Sequence, residues 1–229
     1  MKTSVIVANH DRDISDLKRS VPPGVEFLEI NRGFERSKQR NMGIEESTGD
    51  IIIWLDSDQT LSPGLVREVE RLIDEGNSSI YIPELIVGRS LFAQIRAFER
   101  SFLTGTHVDV PRAVKRSVCP LFDETLHGPE DALFGSQIKG KRATTRLPLY
   151  HHDNISFWEY CKKKAYYTKS MKRYAELNPN DKTLNFWYRC VTVFTETKEK
   201  RWKLIKHPIL TMGLIFLLGV RGIIYVANR

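Results

Sequence analysis

The feature that most constrains this chain is a run of five apolar residues, Ile51-Ile52-Ile53-Trp54-Leu55, that ends directly on Asp56-Ser57-Asp58. A continuous apolar run this short, introduced by the breaker Ser47-Thr48-Gly49-Asp50, reads as a strand buried on both faces, and such a strand needs helices packed on each side of its sheet. Open α/β sheets place ligands beyond the carboxyl ends of their strands. Positions 56 and 58 are two apart, so both carboxylates can project the same way at that edge. Two carboxylates and a diphosphate supply the oxygen ligands that Mg²⁺ or Mn²⁺ prefers, although the tripeptide alone describes a solvated acidic turn equally well.

The flanking sequence supports a layered α/β fold. Ser4–Ala8 and Val25–Ile30 are short, apolar and bounded by polar or Pro/Gly residues, which predicts two buried strands with a helix over 13–19 between them. A helix over 34–46 leads into the apolar strand, giving strand and helix in alternation. Ser62-Pro63 is a cap and first-turn pair, and Leu65, Val66, Val69, Leu72 and Ile73 follow at helical spacing as far as Gly76. Further on, the pattern predicts a strand over 79–86, a helix over 90–102, a short helix opened by Pro129-Glu130-Asp131, and a late strand over 143–150 that delivers His151-His152-Asp153.

Charge is unevenly distributed. Residues 1–153 carry 20 Lys and Arg against 23 Asp and Glu, whereas residues 154–207 carry 13 against 5. A nucleic-acid enzyme would carry its basic groups around its cleft, so nucleic acid is set aside as a partner. The basic segment, read as helices over 157–177 and 183–200, instead precedes an uncharged run over 208–220 (PILTMGLIFLLGV), and a membrane surface is the expected partner. Spanning a bilayer takes about 20 apolar residues, so the tail is near the limit, and Arg221 must snorkel or find a counter-charge. A buried core helix is the competing explanation of so short a run. Cys119, Cys161 and Cys190 form no metal or disulfide spacing, and the opening Met1-Lys2-Thr3 leaves no room for the apolar core of a signal peptide. The expected location is therefore the cytoplasmic face of the membrane.

Three further segments make the pattern specific. Ser4-Val5-Ile6-Val7-Ala8-Asn9, then Arg40-Asn41-Met42-Gly43-Ile44, then Thr48-Gly49-Asp50 running through to Asp58, resemble in order and spacing the nucleotide-binding half of family 2 glycosyltransferases of the GT-A fold. Phe122-Asp123-Glu124 and Gly128-Pro129-Glu130-Asp131 resemble that family's acceptor side. The likeness covers roughly residues 3–153 and implies a nucleotide-sugar donor bound by residues 1–60, an acceptor half at 61–153, a basic helical appendage at 154–207 and an apolar membrane-associating tail at 208–229. It implies Asp58 as principal metal ligand, Asp56 at the ribose or behind the metal, and His151 completing a Mn²⁺ or Mg²⁺ site, with His152 its rival because adjacent strand residues point opposite ways. It also implies donor contacts from Asn9 and Asn41, and Asp131 as the base of an inverting transfer.

Glu130 is expected to orient the acceptor or its loop. Arg40 can pair with phosphate or with a carboxylate at the sheet end. Asn31 stands where the family usually has an aspartate that helps read the base, so base preference does not carry over. The acceptor is expected to be a glycan or a lipid-linked phosphate. A sugar-nucleotide nucleotidyltransferase, or a non-catalytic membrane adaptor that has kept the fold, are the alternatives. The first wants a Gly-rich basic loop after the opening strand, and Asn9-His10-Asp11-Arg12-Asp13 is not one.

Overall fold

A computed structural model of the chain describes residues 1–153 and 155–228. In chain order, β1 (Thr3–Ala8), α1 (Ser15–Ser20), β2 (Glu26–Ile30), α2 (Arg36–Glu46) and β3 (Ile51–Asp56) make the expected alternation, followed by β4 (Gln59–Leu61), α3 (Leu65–Asp74), β5 (Ser79–Tyr81), β6 (Glu84–Ile86), α4 (Leu91–Arg100), β7 (Ala113–Lys115), α5 (Glu130–Gln137), β8 (Arg142–Thr144) and β9 (Leu149–His151). The rest is helical: α6 (Phe157–Thr168), α7 (Met171–Leu177), a π turn over Tyr188–Thr192 that runs into α8 (Val193–Thr195), α9 (Lys198–Lys206) and α10 (Pro208–Ala227).

The main sheet has the order β2-β1-β3-β7-β5-β8. β1 lies parallel to both β2 and β3, with Ala8 level with Ile30 on one side and Asp56 on the other. Three strands thus end together, and Asn9, Asn31 and Asp56 share one edge. The alternation of β3 divides the core. Ile51, Ile53 and Leu55 pack with Leu17 of α1 and with Leu65, Val66 and Val69 of α3, while Ile52 and Trp54 face Ile44 of α2, Phe122, and Phe134 of α5. Asp56 has the parity of Trp54 and therefore emerges toward α2 and α5.

The expected strand over 79–86 is two strands in different sheets, because Pro83 has no N–H for a ladder and the chain turns there from β5 into β6. The expected strand over 143–150 divides likewise into β8 and β9 around Pro148. β6 and β9 join β4 in a second, three-stranded sheet of order β4-β9-β6, in which Gln59 is level with His151. Helix 157–177 breaks at Lys169-Ser170, and 183–200 is a 3₁₀ turn, the π turn and α8 rather than one helix, since Thr197 caps a new helix, α9, through Lys200 N–H. β4 and β7 are too short for a periodicity to be read from sequence.

α10 is long and apolar enough, by length and composition, to cross a membrane. It also packs against α4: Leu214 and Leu217 are buried, and Leu214 joins Phe98, Phe102, Val193 and Phe194 in one cluster. The Arg221 guanidinium finds its counter-charge in Glu99 of α4.

Candidate active site

Trp54 is the floor of the site. It is fully buried, its indole N–H donates to the Pro111 carbonyl (3.0 Å), and two guanidinium groups lie against it, Arg112 at 4.1 Å and Arg40 at 4.4 Å from the ring. The Trp54 backbone N–H donates to the Arg112 carbonyl (3.0 Å), which continues the β3 to β7 ladder by one residue and aims the Arg112 side chain at the end of β3. Both guanidinium groups then close on Asp56, Arg40 on Oδ1 at 2.5 Å and Arg112 on Oδ2 at 3.3 Å. Burial opposes the charge of Asp56, but Arg40, Arg112 and Arg36 hold its carboxyl well below the usual carboxylate range.

Arg40 makes a second bond. Its Nη1 reaches Asp131 Oδ1 at 2.5 Å, so one buried arginine bridges the end of β3 and the first turn of α5. Glu130 beside it is buried, pairs with Arg36, and accepts the Gly128 N–H, which shapes the loop leading into the helix. Gly128 has φ +115°, and a Cβ there would lie 2.5 Å from the Tyr167 ring, so α6 closes directly over that loop.

On the other side of the edge, Asp58 Oδ2 stands 3.3 Å from His151 Nε2 and 3.6 Å from Arg12 Nη1. His151 Nδ1 lies against Glu84, and Nε2 is 3.7 Å from Asp153 Oδ2. Burial lowers the imidazole, but its bonds to Asp58 and Glu84 outweigh this and raise it to about 9. Glu84 is pressed below the usual range by Arg100, against the effect of its own burial. His152 points the opposite way, its Nε2 3.1 Å from Thr60 Oγ1. Asp58 Oδ1 is buried and has no hydrogen-bond partner among the described residues. Asp58 Oδ1 is an unpaired oxygen of the kind a divalent cation takes, and His151 could join it only by giving up the proton that its carboxylate neighbours hold on it; no group of three or more His, Cys, Asp or Glu with metal-site geometry is found among the described residues.

Of the other expected contacts, Asn9 caps its own loop, donating to the Arg12 carbonyl and to Glu29 Oε1, both at 2.8 Å. Asn41 donates to the Phe122 carbonyl (3.0 Å) and Glu124 (2.9 Å) and accepts the Phe122 N–H (2.7 Å), so it ties α2 to the segment before α5. Asn31 is exposed at the end of β2. The sequence reading missed Arg112, Arg36, Arg12, Glu84 and Arg96. A carboxylate inside an otherwise apolar strand was a visible signal for Glu84; Arg36 and Arg96 lie on helices the sequence does announce, Arg12 and Arg112 lie outside any, and in neither case does anything local mark the partner.

The class follows from this fold and site together. The chain matches glycosyl transferase family 2 over residues 9–170 and belongs to that family; its fold is GT-A. The match runs on through α6, beyond the end of the resemblance read from the motifs. Among solved structures it is similar to Staphylococcus aureus TarS 1-349 (TM-score 0.53, 13% identity, all of this chain and 89% of that one) and to the same fragment in complex with UDP-GlcNAc (TM-score 0.53, 14% identity, the same coverage). Against the longer TarS structure it spans 54% of that chain at 14% identity. A search among curated proteins finds no match.

Proposed function

We propose that the protein is an inverting, divalent-cation-dependent glycosyltransferase that takes a sugar from a nucleoside diphosphate donor, UDP-GlcNAc being the donor held by the similar TarS fragment. The observation that carries this reading is a sheet edge where Asp58, with its orphaned Oδ1, follows directly on β3 and Asp131 is tied through Arg40 to Asp56 at the end of the same strand. Asp58 and His151 would hold the cation, which when bound neutralises charge on the departing diphosphate. Arg12, beside Asp58, is placed to meet phosphate oxygens. Arg40 fixes Oδ1 of Asp131, and Oδ2 takes the proton from the acceptor hydroxyl as it attacks the anomeric carbon from the face away from the nucleotide.

The reaction is proposed to run on a membrane surface, with α10 lying in its plane. Ile209, Met212, Phe216, Ile223 and Val226 form one exposed row along α10 at three- to four-residue intervals (and seven between the middle pair), while its opposite side is packed on α4. A helix held in this way to a domain bearing Arg96, Glu99 and Arg100 lies along that domain.

The test is a thermal-shift screen of UDP-, GDP- and dTDP-sugars with and without Mn²⁺. A divalent-dependent shift with one nucleotide series, lost in Asp58→Asn, is the expected result. A response only to free nucleoside triphosphate with sugar phosphate would make the protein a nucleotidyltransferase, and silence toward every nucleotide would leave the adaptor reading.

A further inference from the structure

The loop that leads into α5 is held from two sides. On the core side, Glu130 takes the Gly128 N–H and pairs with Arg36, and Arg40 fixes Asp131 Oδ1. On the outer side lies the junction of α6 and α7. Ser170 precedes α7, where a serine ordinarily caps its own helix; among the described residues its hydroxyl makes no such bond and instead accepts the His127 N–H at 3.1 Å. The His127 ring stands 5.7 Å from that of Tyr166 and its Nδ1 3.3 Å from Glu35 Oε2. Leu126 and Leu133, before and after the loop, are buried with Tyr174 of α7 in one cluster.

Tyr167 is the contact that leaves the loop no slack. Gly128 stands in the left-handed region, and the Tyr167 ring occupies the space a Cβ would need there, so the backbone is walled in from outside at the point where it is locally freest. The N–H of the same glycine is tied to Glu130, which is adjacent to Asp131. Movement of Gly128 therefore passes into the first turn of α5. Arg40 holds a single oxygen of Asp131, and one bond does not fix where the backbone places the carboxylate; an error of about 1 Å in placing a reacting group costs about 10²-fold in rate.

We propose that Tyr167 and Ser170 are positioning residues for Asp131: the α6–α7 junction is the outer wall of the loop that aims the base, so the helical segment behind the α/β core is part of the catalytic apparatus. The Tyr167 ring excludes other paths for the loop, and the Ser170 hydroxyl pins His127 at one register against the junction. This deepens the glycosyltransferase reading, and it rests on that reading for the role of Asp131 but not for the position of the loop.

Full-length Tyr167→Ala, Tyr167→Phe and Ser170→Ala are compared with the parent by hydrogen exchange over residues 124–131, which needs no sugar transfer, and by steady-state kinetics with the nucleotide sugar that shifts the parent's melting curve. Tyr167→Ala is expected to speed exchange over 124–131 by at least about tenfold while β1, β2 and β3 keep their protection, and to lower kcat by about 10²-fold with the donor KM within about twofold. Tyr167→Phe, which keeps the ring, retains both properties, and Ser170→Ala shifts both in the direction of Tyr167→Ala. Placed in Asp131→Asn, Tyr167→Ala costs no further rate, because it acts through a base already lost. Unchanged exchange in Tyr167→Ala, a phenylalanine variant as impaired as the alanine one, a rate loss that adds in full to that of Asp131→Asn, or equal loosening of β1, β2 and β3 would overturn the proposal. A parent that transfers no sugar from any nucleotide donor overturns the glycosyltransferase reading instead, and the exchange result still decides whether Tyr167 holds the loop.

Discussion

Arg40 is almost fully buried and bonds to two carboxylates, Asp56 at the end of β3 and Asp131 in the first turn of α5, so a single charge couples the donor-side and acceptor-side halves of the site. Removing one partner of a buried ion pair leaves the other uncompensated. Arg40→Met is expected to cost about 3 kcal/mol of stability, read from the shift in chemical denaturation midpoint. Arg40→Lys should retain folding better yet impair transfer, since a point charge cannot hold two carboxylates as a planar fork does. Asp131→Asn keeps an oxygen for Arg40 and removes only the proton acceptor. Transfer is expected to fall by about 10²–10⁴-fold, with the nucleotide dissociation constant nearly unchanged; full activity would remove Asp131 as the base. Asp56, Asp58 and Asp131 stand out in the sequence because acids cluster at a strand end and a helix start, whereas Arg112, 56 residues from its partner, has no local pattern to announce it.

At the scale of elements, the parallel start of the fold is tied together by Glu26 of β2. Its carboxylate accepts from Ser4 Oγ at 2.5 Å and from both Thr48 N–H and Oγ1 at 2.7 Å, joining β1, β2 and the turn before β3. Slight burial raises this group, but those hydrogen bonds bring it down to about 2 from an ordinary 4.5. A carboxyl lowered by folding stabilises above its unfolded value, and that contribution is lost as pH falls from about 4.5 toward 2. Glu26→Gln should therefore flatten the acid limb of a stability-against-pH curve in that window and lower the plateau above it. An unchanged acid limb would show that the bonds contribute nothing net. The short second sheet is the element least legible beforehand, because Pro83 and Pro148 each divide an apolar run that continuous periodicity reads as one strand.

At the scale of the whole molecule, α10 is both an outward apolar surface and part of the core over α4. Deleting residues 208–229 would bare Phe98 and Phe102 and leave Glu99 without Arg221, so truncation is expected to lower the melting temperature as well as release the protein from vesicles. The cleaner variant is Ile209→Glu, Met212→Glu, which alters two exposed residues of the row and leaves Phe216 stacked on Phe157 of α6. It should abolish flotation with anionic vesicles while the melting temperature stays close to that of the parent, and unchanged flotation would refute the in-plane reading. What the sequence determined by itself is the part governed by local periodicity: the apolar β3 and its neighbours, the acidic residues at the open edge, and a basic segment before an apolar tail, because a doubly buried strand and an amphipathic helix write their environment into two or three turns of chain. What only the tertiary structure decided is pairing. Which arginines close on Asp56, which of two adjacent histidines meets Asp58, and whether Arg221 faces lipid or Glu99 depend on contacts between residues far apart in the chain, and those are fixed by how the layers pack.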